Sequence, residues 1–171
     1  EAYAKPEDIK QYIGEAYFFR AYSYFDLLQL YGDVIITKKP LDITDPEMKV
    51  KRNDRSEVVD LIIDDLNHAV ENLPAFKELT TEEEGRISKE GAQAFLSRVA
   101  LYEGTWQKSR NGNQNTQRSA NLLDIAAKAA RTVIDAKYGY TFRLFGTDSE
   151  TKILGDSAQK YMFILENEKS N

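Results

Sequence analysis

The chain has 171 residues, enough for one domain with a buried core, and its composition excludes several classes of function. The absence of cysteine rules out disulfides, thiolate zinc sites and thiol nucleophiles, and a single histidine leaves no H-E-x-x-H zinc motif. A formal net charge of −5 and the lack of glycine-rich phosphate motifs argue against nucleic acid as a partner and against nucleotide cofactors, so no cofactor is expected.

The first predicted helix runs from Glu7 to Tyr31 and ends at Gly32, which can supply a left-handed cap. From Ala16 to Tyr31 the polar residues recur at every third position, so they drift around the helix and form no single wet face. This pattern predicts a central helix that its neighbours cover on nearly all sides, and its polar residues interrupt any membrane-spanning run. Arg20 is expected to pair with Asp26 or with a carboxylate on another helix.

The second predicted helix runs from Arg55 to Leu73 and has one apolar face. Asp54, followed three residues later by Glu57, resembles a capping box, and Pro74 stops the helix. The neighbouring carboxylates Asp64 and Asp65 are expected on a charged outer surface, because adjacent helical residues point about 100° apart and do not converge as catalytic acids do. His68 is likewise expected to be exposed.

Two more helices are predicted, from Ser88 to about Lys108 and from about Asn121 to Tyr138. Ser88 is a suitable N-cap. Between these helices, residues 107–120 contain no large apolar residue and are rich in asparagine, glutamine and arginine, which is typical of a long loop. Short strands are predicted at 34–36 and 161–165, the second with nothing here to pair against.

The spacing of the last three helices favours an all-α fold of stacked, tetratricopeptide-like helix pairs with a minor short-strand element. Counted from Ser56, Ser88 and Asn121, their starts are 32 and 33 residues apart, near the ~34-residue tetratricopeptide unit. Alanines such as Ala92, Ala126 and Ala136 allow close helix packing. We expect a helical region over residues 1–160, the start of a following segment at 161–171, and a longer parent protein.

Four blocks of sequence motifs follow one another along the chain. They are RAYSYFDL at 20–27 with YGDV at 31–34, RSEV at 55–58 with DDL at 64–66 and LP at 73–74, GRISK at 85–89 with RVALYEGTW at 98–106, and AA at 126–127 with VI at 133–134. In this order the blocks resemble the SusD/RagB-like glycan-binding lipoproteins of the Gram-negative outer membrane. Ile35 departs from the proline common at that position in the family, and Gln93 and Ser97 depart from common alanines.

The resemblance implies a tetratricopeptide-like part of a larger protein that binds oligosaccharide and is not an enzyme. It further implies a place at the extracellular face of the cell outer membrane, in a nutrient-uptake system that delivers glycan to a TonB-dependent transporter. Membrane association would come only through a lipid anchor outside this chain.

A carbohydrate site is predicted where the third helix meets the amide-rich loop. Trp106 would stack on the apolar face of a sugar ring, and nearby amides would bond its hydroxyls. The alternative is that Trp106 continues the apolar face of its helix and that the loop is simply solvated. The candidate amides are Asn111, Asn113 and Gln114, with Asn115 beside them.

Two other functions stay open from the sequence. A helical-repeat adaptor would bind a protein or peptide in a concave groove and ignore sugars. An all-helical glycosidase would hydrolyse a glycan and lose that activity when one carboxylate is changed.

Overall fold

A computed structural model describes residues 6–83, 85–110 and 116–142 of the chain. These ranges contain four long helices, three short 3-10 turns and one isolated β-bridge in place of a sheet. The contacts divide the chain into two units, Glu1–Tyr140 and Thr141–Asn171, and all these helices belong to the first. The helices are α1 (Pro6–Tyr31), α2 (Arg55–Asn72), α3 (Lys89–Arg110) and α4 (Thr116–Ile134).

The prediction of a mainly α-helical fold is confirmed over the described ranges. The predicted strand at 34–36 is reduced to one antiparallel bridge between Val34 and Asn53. The strand predicted at 161–165 and the boundary placed at residue 160 lie outside the described residues and stay predictions. In the part of the chain that the structure describes, no helix combines the length and the apolarity needed to cross a membrane.

The helix ends follow the local signals in the sequence. Gly32 lies in the left-handed region, with φ 71°, and its N–H donates to the Leu28 carbonyl at the end of α1. Asp54 and Glu57 form the predicted capping box at the start of α2. Ser88 accepts a hydrogen bond from the Gly91 N–H at the start of α3.

The helices stack in chain order, α1 against α2, α2 against α3, and α3 against α4, so that two helix pairs form the predicted tetratricopeptide-like arrangement. The first and third helices also meet through aromatic rings, because Phe25 packs edge-on against both Phe95 and Tyr102 with centroids 5.5 Å apart. The core lies mainly between α1, α2 and α3. Its fully buried aliphatic side chains include Leu28, Val58, Val59, Ile62, Leu66 and Val99.

The prediction that α1 is covered on nearly all sides is wrong for this structure. Many of its large apolar side chains are exposed, among them Leu30 at 74% and Tyr31 at 65%. The most enclosed helices are α2 and α3, because each contacts two other helices; they bury seven and eight of their residues respectively. We call the exposed stripe on α1 the α1 face; its residues are Ile9, Tyr12, Ile13, Phe19, Leu27 and Leu30.

Arginine–carboxylate pairs join the helices to one another. Arg20 on α1 bonds Asp65 on α2 through two contacts of 2.7 and 2.6 Å, so the prediction of a partner on another helix is confirmed. The prediction that Asp65 lies on an outer surface is wrong, because its side chain is fully buried, whereas Asp64 is exposed. The hydrogen bond to Asp65 raises the pKa of Arg20, so the guanidinium stays charged.

The fourth helix begins five residues before the predicted start at Asn121. The Ser119 hydroxyl donates to the Gly104 carbonyl at 2.7 Å, and this contact holds the first turns of α4 against α3. The helix also ends early, at Ile134, because Ala136 adopts a left-handed φ of 52°. Ala136 is therefore part of a helix cap and does not pack a helix face as predicted.

Candidate functional site

Trp106 lies on the last turns of α3 with its ring against cationic side chains. The Arg55 guanidinium carbon is 4.3 Å from the ring centroid and that of Arg110 is 5.0 Å away. Tyr102, one helical turn earlier, stacks beside it with centroids 6.3 Å apart. The indole is half-buried, so part of its surface is accessible to a ligand while the rest packs within the protein.

A buried ion pair fixes Arg55 beneath this tryptophan. Its guanidinium donates to Glu103 at 2.8 and 2.9 Å and to the Leu28 carbonyl at 3.3 Å. The Glu103 carboxylate is fully buried and also accepts from the Gln107 amide at 2.6 Å. Because each charged group has a partner, the pair is a rigid support that orients Trp106.

The amides predicted to accompany Trp106 fall on the segment between α3 and α4. Asn111, Asn113 and Gln114 lie outside the described residues, as does Asn115. The structure therefore places Trp106 alone of the predicted site. The grouping of Trp106 with Asn111, Asn113 and Gln114 in one site stays a prediction.

A groove between α2 and α4 has a volume of about 650 Å³, and it was not predicted from the sequence. We call it the α2–α4 groove. Ile63, Leu122 and Ile125 give it an apolar floor, and its other side chains are polar and mostly exposed. The polar side chains are Asp60, Asp64, Asn67, Gln117, Arg118 and Asn121.

Several of these polar groups are held in place by one another. Arg118 donates to Asp60 at 2.8 Å and to the Ser56 carbonyl at 3.0 Å, which ties α4 to the start of α2. The Gln117 amide donates to the Asn121 side-chain oxygen at 2.9 Å. These contacts orient the planar polar groups before any ligand arrives.

Two spacing signals in the sequence indicate the polar side of the groove. Asp60, Asp64 and Asn67 are spaced to share one helix face, and Gln117 and Asn121 are four residues apart. The spacing does not predict that α4 begins at Thr116 or that α4 lies beside α2. The groove is visible only once the two helices are placed together.

The neighbouring carboxylates Asp64 and Asp65 do not form an acid–base pair, since one is exposed and the other is bonded to Arg20. His68 is half-exposed and stacks on the Tyr17 ring with centroids 4.9 Å apart. Across the described ranges, no three histidine or acidic side chains converge as metal ligands would.

A family model called SusD-like, with the description "Starch-binding associating with outer membrane", matches residues 1–101. The chain belongs to the SusD-like family. SusD-like protein P38 of Formosa agariphila is 37% identical over 93 residues, which cover 54% of this chain and 17% of that protein.

Solved SusD-like structures extend the match beyond α3. A SusD-like protein from Bacteroides fragilis is 28% identical, with a TM-score of 0.66 over 85% of this chain and 24% of that one. A laminarin-binding SusD-like protein is 27% identical, with a TM-score of 0.62 over 84% of this chain and 28% of that one. The chain therefore spans about a quarter of these solved relatives and about a sixth of the curated one.

Proposed function

We propose that the protein binds carbohydrate without changing it, at the extracellular face of the outer membrane. Membership of the SusD-like family carries this proposal, because the family is described as starch-binding and associated with the outer membrane. The structural similarity to a laminarin-binding SusD-like protein supports oligosaccharide as the class of ligand. Anchoring would be through a lipid outside this chain.

Trp106 is the residue that we propose contacts the sugar. A half-buried indole on a rigid support can lie against the C–H face of a pyranose ring, and amides in the adjoining segment can bond its hydroxyls. Arg55 and Arg110 already lie against the ring, so the sugar would use the remaining exposed surface. Asn111, Asn113 and Gln114 are the proposed amides.

We further propose that the bound oligosaccharide is delivered to a TonB-dependent transporter as part of a nutrient-uptake system. Capture by stacking and hydrogen bonding leaves the ligand unmodified, which is what transport of an intact oligosaccharide requires. This step needs a protein partner, and the proposal is that the SusD-like protein binds sugar and transporter at the same time.

Tryptophan fluorescence tests the sugar-binding proposal directly, because Trp106 is the one tryptophan in the chain. Titration of the full chain with laminarin and with soluble starch should change its emission saturably, and reducing ends should not accumulate. A Trp106→Phe variant, followed by calorimetry, should bind the same glycan more weakly. Cleavage of the glycan, or no binding to any glycan on an array, would overturn the proposal.

The second candidate is a helical-repeat adaptor, which the exposed α1 face favours. An apolar stripe of this length on a helix is a common mark of a protein-binding surface. An adaptor would bind a peptide through the α1 face and give no response to laminarin or starch. Substitution of Leu30 by lysine would then abolish peptide binding, whereas it should leave glycan binding unchanged if the first proposal is correct.

A further inference from the structure

We propose that the α2–α4 groove is a second carbohydrate-contacting surface, and that its ligand is a neutral oligosaccharide. The inference rests on the proposed function, to which it adds a location and a chemical class. The volume of the groove, about 650 Å³, lies within the usual range for small-molecule sites, and both α2 and α4 supply side chains to the groove.

The groove combines the two kinds of surface that a sugar presents to a protein. Planar amide, carboxylate and guanidinium groups can each engage two neighbouring hydroxyls. Asn67 and Asn121 provide amides, and Arg118 provides a guanidinium. Asp64, which is exposed on α2, provides a carboxylate. Ile63 and Leu122 offer an apolar floor for the C–H face of a ring.

The charge of the groove favours a neutral ligand over an anion. It contains two carboxylates and one guanidinium, and Arg118 is already bonded to Asp60 at 2.8 Å. The remaining Asp64 would repel a phosphate, a sulfate or an acidic sugar. A neutral polyhydroxyl ligand meets no such repulsion and can accept from the amides while donating to the carboxylates.

The groove is also partly organised in advance. Asn121 is held by Gln117, and Arg118 is held by Asp60 and the Ser56 carbonyl, so little side-chain freedom is lost on binding. These bonds run along α4 and between α4 and α2. A ligand in the groove would therefore contact side chains that are carried by two helices rather than by a loop.

A double variant, Asn67→Ala with Asn121→Ala, tests this site in the full chain. Both side chains are exposed, so the fold should be retained, and an unchanged melting temperature would verify this. Calorimetric titration with laminarin should show affinity weakened about tenfold or more, because two groups that bond sugar hydroxyls are removed. Gln29→Ala is the matched control, since it removes an exposed amide from α1.

The outcomes separate this inference from the proposed function. Weaker laminarin binding by the double variant but normal binding by the Gln29→Ala control supports the groove. If the double variant binds laminarin and starch as tightly as the unsubstituted chain, the groove inference is overturned and the proposed function stands. If the unsubstituted chain binds no glycan, the proposed function fails, and the groove inference fails with it.

Discussion

Ala136 is a residue in a backbone conformation better suited to glycine. The Ala136 N–H donates to Val133 and the Lys137 N–H to Thr132, which is the double hydrogen bond of a Schellman cap after α4. A Cβ in the left-handed region is strained. We therefore predict that Ala136→Gly raises the free energy of unfolding by about 0.5–1 kcal/mol, measured by urea denaturation.

The control for that prediction is the same substitution inside the helix. Ala127 is exposed in the middle of α4, where glycine lowers helix propensity without a compensating release of strain. Ala127→Gly should lower the free energy of unfolding by about 0.5–1 kcal/mol. Equal signs for the two substitutions would contradict the assignment of strain to Ala136.

Two glycines in helices should respond to alanine in opposite directions. A Cβ at Gly14 would be 2.9 Å from the Leu73 side chain and 3.0 Å from its backbone nitrogen, whereas a Cβ at Gly91 would meet nothing closer than 3.8 Å. We predict that Gly14→Ala lowers the free energy of unfolding by about 1–3 kcal/mol, and that Gly91→Ala raises it by about 0.5 kcal/mol. Thermal and urea denaturation would measure both.

At the scale of the element, α2 depends on its N-terminal cap. Asp54 accepts from the Ser56 N–H at 2.8 Å, and this bond lowers the pKa of the Asp54 carboxyl. A lowered pKa in the folded state means that the cap contributes stability above the unfolded pKa and loses it as the pH falls through the folded value.

Asp54→Ala should therefore lower the free energy of unfolding by about 1 kcal/mol at neutral pH. The difference between this variant and the unsubstituted chain should be constant down to about pH 5 and shrink below about pH 4, as the carboxyl is protonated. Denaturation across that range measures it. A difference that grows towards acid would contradict the assigned direction of the pKa shift.

The pair between α1 and α2 has more influence on stability than the pairs on the surface. Removing Arg20 leaves Asp65 as a fully buried charge without its partner. Arg20→Met should lower the free energy of unfolding by about 3 kcal/mol. Lys128→Met, which breaks an exposed pair with Asp124 within α4, should change it by less than about 0.5 kcal/mol. Similar effects from both would show that burial is not the cause.

Local signals predicted the helices well and their neighbours poorly. Capping chemistry placed the start of α2 at Arg55 and the end of α1 at Tyr31. The count of apolar residues predicted α1 as the central helix, yet burial depends on how many helices pack against each one. Both α2 and α3 lie between two other helices, and the prediction that Asp65 on α2 lies on the surface was wrong for the same reason.

At the scale of the whole molecule, the family was predictable from the sequence, and only one of the two proposed sugar contacts was. Motif order along the chain indicated a SusD-like protein, and the matched family model confirms it. Trp106 could be proposed from the sequence because tryptophan rings commonly stack on sugars, and its role stays a prediction. The α2–α4 groove was not, because it is made of ordinary polar residues from helices that begin 61 residues apart, at Arg55 and Thr116.

The stacked helices form a support for the proposed sugar contacts. Arg55 links α2, α3 and the end of α1, and Arg118 links α4 to α2. Both arginines lie beside the proposed sugar contacts. The central claim is that this support presents Trp106 and the groove to an oligosaccharide.

The most direct test is an NMR titration of the isotope-labelled chain with laminarin, which reports binding and its location together. The account predicts that the indole N–H of Trp106 and the side-chain amides of Asn67 and Asn121 shift saturably, that Gln29 does not, and that the laminarin remains uncleaved. Saturable shifts confined to the α1 face, or no shifts at all, would contradict it.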